Sequence, residues 1–464
     1  MNEPLKLKLF SVYGQILHEK VLVEAWKHVK ANKGCAGIDR ITIEKFDENL
    51  TTNIGELLNE LRTKIYKPSP VRRVYIPKKN GKMRPLGIPT IKDRIVQQAL
   101  VDRLTPFFEE KVFHDNSCGF RPNRGVELAV KKILCRLEYG YLYIYDFDIK
   151  GYFDNIPHKK MMKVLNKYVS DGTVLDIVWK SLKARYMEDE IRYESKSGTV
   201  QGGVISPLLA NIYLNELDWE LDKAGLQFVR YADDSIVMCR TPEELEKAKQ
   251  VVHRVLEELG LELAEDKTDD IDFHNEDFDF LGFTFEHIKV SKNGKPYYVV
   301  TPSVKSIKKC KEDIKSITGK TLSKSFEMWT AELNPILRGK YGYFLISATA
   351  CLAVQDELAK RGRPFHGCFF YKYDRLDGYV RQRLRVNFGN RGKRHAGYRD
   401  GDMLKVKYNN KFFIRTIKLV TGSYLYHKLF HADTTIDEYL EQRPKRRRTW
   451  SPARAKFFEY ALQR

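Results

Sequence analysis

The chain has 464 residues, 81 Lys and Arg against 61 Asp and Glu, and a formal charge of +20, which is length enough for about two to four structural units around at least one large core. The N-terminus lacks an apolar signal core, no apolar run reaches the roughly 18 residues a membrane helix needs, and the seven cysteines (Cys35, Cys118, Cys135, Cys239, Cys310, Cys351, Cys368) form no CxxC pair. Secretion, membrane spanning and a cysteine-built metal or disulfide framework are therefore excluded, and a reduced cytosolic setting is expected.

In chain order, residues 1–30 read as helical, with Ile16, Leu17, Leu22, Val23, Trp26 and Val29 at helical spacing, until NKGCAGIDR (Asn32–Arg40) breaks the pattern. A second helix is expected over Asn53–Lys64, closed by the prolines of Lys67–Pro70. Val71–Ile76 alternates up to Pro77, KKNGK turns and MRPLGIPT returns, which predicts a hairpin. Asp93–Thr105 follows as a helix. HDNSCGFRPNRG is then a loop whose Arg121 and Arg124 either meet phosphates or fix the preceding elements. A β-rich run, Tyr141–Phe147, ends on Asp148 at a polar, Gly-containing turn. Gln201-Gly202-Gly203 permits close backbone approach, and Ser206-Pro207 starts an apolar helix, Leu208–Leu217. LQFVRYADDSIVMCR reads as two short strands meeting at Tyr231–Asp234. Pro242–Leu259 is amphipathic, and LELAEDKT is strand and turn.

The last third differs in charge. Residues 1–300 carry 46 basic and 46 acidic side chains and residues 301–464 carry 35 and 15, so the whole excess lies there. Its basic residues alternate with aromatics such as Trp329, Tyr341, Tyr343 and Phe344, which predicts a folded surface facing nucleic acid. Helices are expected over Ser323–Ala350 and Asp374–His395, with Arg381 and Arg385 one turn apart. The run PKRRRTW (Pro444–Trp450) is either a nucleic-acid ligand or a solvated tail.

An Asp-Asp pair in a turn is ordinary, because both residues favour turns for local hydrogen-bonding reasons. Here the hairpin tip presents Asp233 and Asp234, and the strand ending on Asp148 supplies a third carboxylate. Three such groups are the hard oxygen ligands that a two-metal nucleotidyl transferase needs.

Asp148 followed by IKGYFDNIPH, then QGGVISPLLANIYLNELD, FVRYADD, LGLELAEDKT and FLGFTF, stands in the order and spacing of the reverse transcriptases. RRVYIPKKNGKMRPLGIPTIKDRIVQQAL, SCGFRPNRGVELAV and NPILRGKYGYF resemble the group II intron-encoded reverse transcriptase/maturase family in particular, in a form without an HNH endonuclease. The resemblance covers roughly residues 15–390 and implies an α+β right-hand polymerase, with fingers and palm followed by a helical thumb/maturase region and a basic C-terminal region. The implied boundaries are 1–52 for an N-terminal extension, 53–300 for fingers and palm, 301–395 for the thumb/maturase domain and 396–464 for the basic end.

The resemblance also implies roles. Asp148, Asp233 and Asp234 would be catalytic and hold two Mg²⁺ ions, with Mn²⁺ as a possible substitute. Lys78 and Arg84 match positions that meet the triphosphate, and Phe153 matches the aromatic ring beneath the incoming sugar, where it collides with a 2′-hydroxyl. Gln201 contacts the nucleotide or its template base, and Lys267 lies near the triphosphate. Gly282 sits in the primer-grip segment, while Arg338, Lys340, Tyr341, Arg381 and Arg385 contact primer or RNA. In the resembled family Lys33–Asp39 lies against the template; an ordinary Gly-rich connector fits the same residues. The expected activity is RNA-directed DNA synthesis, joined to splicing and mobility of a parent intron. The alternatives are an RNA-binding splicing cofactor without essential polymerase activity, and a free-standing enzyme in DNA repair or phage defence. Expected partners are an RNA template and intron RNA, a DNA primer or target and deoxynucleoside triphosphates, without a membrane, in a prokaryotic cytoplasm near the nucleoid.

Overall fold

The computed structural model describes residues 8–77, 81, 83–184, 186–188, 191–193, 197–288, 297–319, 325–363, 367–369, 373–392, 413–414, 418–429, 432–433 and 435–442. The chain divides into two compact units: one of Met1–Leu281, Phe285–Val299 and Ala350–Cys368, the other of Gly282–Thr284, Val300–Thr349 and Phe369–Arg464. Helices and strands mix throughout in the α+β arrangement of a right-hand polymerase. No described helix is long and apolar enough to cross a membrane.

In the first unit, the N-terminal helical stretch is two helices, α1 (Val12–Ile16) and α2 (Glu19–Ala31), because His18 is extended between them. Helices α3 (Ile43–Glu48) and α4 (Leu50–Arg62) follow, the latter starting earlier than its sequence pattern predicts. Strands β1 (Val71–Pro77) and β2 (Met83–Ile88) form the expected hairpin, in register from Arg72↔Ile88 to Pro77↔Met83. Most of its tip, including Lys78, lies outside the described residues. Helix α5 (Ile91–Lys111) extends well beyond the expected Asp93–Thr105. Thr90 caps it, and the buried Asp93 carboxylate accepts from Tyr66 Oη at 2.7 Å, Thr90 Oγ1 at 2.6 Å and Ser69 N at 3.2 Å, which ties the Lys67–Pro70 loop to the start of the helix.

Beyond α5 come β3 (Ser117–Cys118), α6 (Val126–Glu138), β4 (Tyr143–Phe147), α7 (Tyr152–Asn155), α8 (His158–Leu165), α9 (Gly172–Leu182), β5 (Tyr186–Glu188) and β6 (Ile191–Tyr193). Next are α10 (Ser206–Lys223), the hairpin β7 (Gln227–Tyr231) and β8 (Asp234–Cys239), α11 (Pro242–Leu259) and β9 (Asp269–Asp272). A central sheet runs in the order β3-β7-β8-β4-β9, and a second in the order β2-β1-β5-β6. Helix α11 shows how local sequence builds this layer. Thr241 accepts from Glu244 N at 3.2 Å as N-cap, Pro242 occupies the first turn, and Gly260 ends the helix at a φ of 70°. Between these ends Leu245, Ala248, Val252, Val255, Leu256 and Leu259 are buried on one face. Each such aliphatic side chain contributes roughly 1.5–3 kcal/mol on full burial, so the stripe fixes which face meets the sheet. One core joins these residues to Trp26, Phe46, Leu57, Ile95, Phe108, Phe147 and Ile212.

Strands β10 (Phe278–Phe280), β11 (Phe283–Ile288) and β12 (Tyr297–Pro302) lead into the second unit. Its helices are α12 (Val304–Ile317), the greater part of α13 (Phe326–Lys360), α14 (Tyr373–Gly392), and two short ones at Gly422–Lys428 and Ile436–Gln442. Cys310, Trp329, Leu333, Leu337, Tyr341, Leu376, Leu384, Phe413 and Leu419 form its core. The buried Asp377 carboxylate accepts from Tyr341 Oη at 2.8 Å, Gly422 N at 2.8 Å, Ser423 N at 3.1 Å and Ser423 Oγ at 2.6 Å. It thereby satisfies the start of the Gly422–Lys428 helix from another element. Phe413 and Leu419 thus belong to a packed core. The basic run Pro444–Trp450 lies outside the described residues.

Candidate active site

Register brings the three carboxylates together. Strand β4 pairs antiparallel with β8, Phe147 opposite Ser235, so Asp148, the next residue, emerges beside Asp234. Strands β7 and β8 close at Tyr231↔Asp234, leaving Ala232 and Asp233 as a two-residue tip. Ala232 has a φ of 60° and Asp233 has no positive φ, the pattern of a II′ hairpin turn. The backbone of Asp148 is tied to the segment after α11, its carbonyl accepting from Ala264 N at 2.9 Å while Lys150 N donates to Glu262 O at 2.9 Å. The 3₁₀ turn Glu265–Lys267 follows directly, and the Lys267 ammonium ion-pairs with the Asp148 carboxylate.

The electrostatics are those of like charges held close. Burial, then the Asp148 charge, raises the Asp233 carboxyl above its ordinary range, with Lys267 and Arg84 pulling it back. Asp234 keeps an edge open to solvent, yet the protein around it, then Asp233 and Asp148, push it up to about 6. A fourth carboxyl joins them. Asp146 lies two residues before Asp148 on the same face of β4, opposite Asp269 of β9. Burial, then Asp234, Asp269 and Asp148, push it up to about 7. Sequence reasoning passed over Asp146, although strand alternation was signal enough to find it.

Among the described residues no three His, Cys, Asp or Glu side chains are grouped closely enough to hold a metal ion. The donor set nevertheless has the chemistry of a divalent-cation site: hard carboxylate oxygens, Asp233 and Asp234 raised by burial and their neighbours, with the Lys267 ammonium seated on Asp148 and Arg84 near Asp233.

Of the other expected residues of the first unit, Arg84, Phe153 and Gln201 are described. Arg84 is exposed on β2 opposite Ile76. Phe153 is half-buried on α7, its ring edge-on to Tyr152 (5.6 Å between centroids) and Phe120 (6.2 Å). Gln201 donates through Nε2 to Asp154 Oδ1 at 2.8 Å, and its carbonyl accepts from Gly87 N at 2.7 Å, joining it to β2. Gly202, at a φ of 109°, lets this approach happen, since a Cβ there would lie 2.7 Å from Gly87 O. Asp154, which orients Gln201, is a partner the sequence did not signal. Arg121 and Arg124 resolve toward a structural role. Arg121 is buried, with Nη2 donating to Glu109 Oε2 at 2.9 Å and Nη1 to the carbonyls of His114 and Ser117 at 2.7 Å, and Arg124 pairs with Asp115 at 2.8 Å.

Residues 76–285, which include all three carboxylates, match the reverse transcriptase (RNA-dependent DNA polymerase) family. The chain is similar to protein YkfC of Escherichia coli K12, 34% identical over 302 residues, or 56% of this chain and 79% of that protein. It is also 38% identical over 260 residues to the group II intron-encoded protein LtrA of Lactococcus lactis subsp. cremoris, covering 54% of this chain and 42% of LtrA. The putative COX1/OXI3 intron 2 protein of Saccharomyces cerevisiae is 32% identical over 206 residues, 44% of this chain and 24% of that protein. The chain belongs to the group II intron-encoded reverse transcriptase/maturase family. It is an RNA-directed DNA polymerase, as the motif order implied, and reverse transcriptases depend on divalent metal. The aligned segment spans less than half the length of LtrA.

The second unit corrects two of the expected nucleic-acid contacts of this reverse transcriptase. Tyr341 is fully buried and bonds Asp377, and Arg381 is 5% exposed in the same core, so neither side chain presents a surface to RNA. Each lies on the buried stripe of its own helix, Tyr341 with Leu337 and Phe344 on α13 and Arg381 with Asp377 and Leu384 on α14, which aromatic and basic content alone does not distinguish from a binding face. Arg385 is half-buried over the Phe413 ring, 5.2 Å from its centroid, and Lys340 pairs with Asp313 at 2.8 Å. Arg338 is exposed and lines a cavity of about 840 Å³ with Lys418, Thr421 and Tyr424. Gly282 has a φ of 77°, and a Cβ there would meet Ser306 Oγ at 2.8 Å, while Tyr343 stacks on the neighbouring Phe283.

Proposed function

We propose that this enzyme extends a DNA primer on an RNA template by joining deoxynucleotides at the carboxylate cluster. When bound there, two Mg²⁺ ions, or Mn²⁺ in their place, neutralise triphosphate charge and lower the pKa of the primer 3′-hydroxyl. The observation that carries the reading is the convergence of Asp148, Asp233 and Asp234 on one sheet end, with the positive charges of Lys267 and Arg84 acting on Asp233.

Asp148 and Asp233 would hold the ions, with Asp234 completing or supporting the set. The primer 3′-hydroxyl gives its proton to water as its oxygen bonds to the α-phosphorus, the bond from that phosphorus to the bridging oxygen breaks, and pyrophosphate leaves with that electron pair. Lys267 donates its proton to that leaving group, and Lys78 and Arg84 steady the triphosphate. Gln201, held by Asp154, orients the nucleotide against its template base. Phe153 excludes ribonucleotides by occupying the space of a 2′-hydroxyl. Gly282 admits the primer backbone, and Arg338 adds a phosphate contact that gives affinity with little sequence information.

In this reading residues 1–52 form the N-terminal extension, 53–300 the fingers and palm, 301–395 the thumb/maturase domain and 396–464 a basic nucleic-acid-binding end. The same protein assists splicing and mobility of its intron RNA, recognising RNA shape and single-stranded loops, and acts on target DNA in a prokaryotic cytoplasm, associated with the nucleoid. Primer extension on RNA with Mg²⁺, comparing deoxynucleotides with ribonucleotides, tests it. Extension by deoxynucleotides alone, lost in Asp233→Asn while RNA binding persists, is expected; synthesis retained in that variant overturns the site.

A further inference from the structure

Directly before the tip tetrapeptide, Arg230 is buried to 1% exposure on the underside of the hairpin. All of its N–H donors are engaged. Nε donates to Asp218 Oδ1 at 2.7 Å and Nη2 to Asp218 Oδ2 at 2.5 Å, while Nη2 also donates to Ser117 Oγ at 2.7 Å. Nη1 donates to Asn211 Oδ1 and to the Ala232 carbonyl oxygen, both at 2.9 Å. Asp218, Asn211 and Ser117 are themselves buried. Ala232 is held from its other end as well, its N–H donating to Cys118 O at 3.1 Å, and Asn211 Nδ2 steadies the next peptide of that segment through Gly119 O at 3.0 Å.

Two physical points give this lattice a purpose. A buried ion pair is often no more stabilising than apolar residues of the same volume, so fold stability alone does not call for one under this turn. Ala232, with a φ of 60°, also sits in a backbone region that suits glycine and is disfavoured for alanine. Arg230 and Cys118 O grip the acceptor and the donor of that one residue, and the next residue is Asp233.

We propose that Arg230, locked in place by Asp218 and Asn211, is a positioning residue for synthesis: it pins the Ala232 peptide in its left-handed conformation and so aims the Asp233 carboxylate at Asp148. This rests on the reading of Asp233 as a metal-holding carboxylate. Arg230 is sealed from substrate and acts only through the turn. Lysine cannot replace it, since one ammonium lacks the planar fork that reaches Asp218, Asn211, Ser117 and Ala232 together.

The test uses the full chain with Arg230→Lys, Arg230→Lys/Ala232→Gly and Asp233→Asn, reading primer extension across a Mg²⁺ titration alongside thermal unfolding and RNA binding. In folded Arg230→Lys, kcat falls by roughly tenfold and the Mg²⁺ midpoint rises, with KM for deoxynucleotide and RNA affinity unchanged. Adding Ala232→Gly restores several-fold of the rate, because glycine adopts the turn without the pin. Should Arg230→Lys fail to fold, Arg230→Met/Asp218→Leu removes both buried charges at once and shows the same two shifts. Wild-type kcat and Mg²⁺ midpoint in either folded variant, with Asp233→Asn inactive, overturn the proposal, as does a loss that Ala232→Gly leaves untouched. Synthesis retained by Asp233→Asn instead sinks the underlying metal-site reading, and this inference with it.

Discussion

The carboxylate cluster and the basic helices of the second unit use charge in opposite ways. At the sheet end, Asp148, Asp233, Asp234 and Asp146 face one another with few cations to offset them, and burial together with mutual repulsion raises three of the four. In the second unit, several of the side chains that read as nucleic-acid contacts are already paired within the protein: Tyr341 with Asp377, Lys340 with Asp313, Arg385 over Phe413. Charge left uncompensated marks where a ligand of opposite sign belongs, whereas charge already paired holds the protein together. A count of basic residues does not separate the two.

The sharpest way to break this comparison is to remove a group from each side. Asp148→Asn is expected to abolish cDNA synthesis to the detection limit without lowering the unfolding temperature, since it relieves repulsion. Asp377→Ala should do the reverse. It strands the buried Tyr341 hydroxyl and the start of the Gly422–Lys428 helix, at a cost of roughly 3 kcal/mol in denaturant unfolding, with Tyr341→Phe costing roughly 1 kcal/mol. A stable Asp377→Ala variant would show that this network is not what organises the second unit.

An intermediate effect comes from pH. Asp146 and Asp234 titrate near 7 and 6 in the fold, above an unfolded carboxylate. Between the two ranges the folded chain binds more protons than the unfolded one. Stability without metal is therefore greatest at acid pH and is lost as pH rises through about 6 to 7. The metal-free unfolding temperature should fall from about pH 5 to about pH 7.5, and Mg²⁺ should restore it mainly at the upper end. Asp146→Asn should flatten the slope. Synthesis has the opposite sign, rising over the same window as the ligands deprotonate. A flat metal-free profile would refute the crowding of these acids.

Much of the first unit was legible because its signals are local and periodic. Strand alternation and a two-residue tip set register, so Asp148 and the Asp233-Asp234 pair were placed from sequence spacing; Thr241, Pro242 and Gly260 mark the ends of α11. What escaped were partnerships across distance. Arg230 on Asp218, Asp154 on Gln201, and Asp377 on Gly422 each join elements that only tertiary packing brings together. The break at His18 and the length of α5 were missed because core packing overrides the local pattern there. Tyr341 and Arg381 were misread because an amphipathic side chain with helical spacing looks the same whether it faces RNA or the core.

The smallest expected effect separates two neighbouring cations of α13. Arg338 is exposed beside a cavity whose rim also carries Lys418, whereas Lys340 already pairs with Asp313. A phosphate contact releases counterions, so its loss lowers the slope of log affinity against log salt by roughly one. An exposed pair on a protein surface contributes about 0–1 kcal/mol and leaves that slope alone. Arg338→Ala should therefore weaken RNA binding most at low salt and reduce the slope, while Lys340→Ala should change unfolding slightly and the slope little. Equal slopes for the two variants would mean that the Asp313 pair opens for RNA, and that paired charge in this unit is a reserve for binding rather than a commitment to the fold.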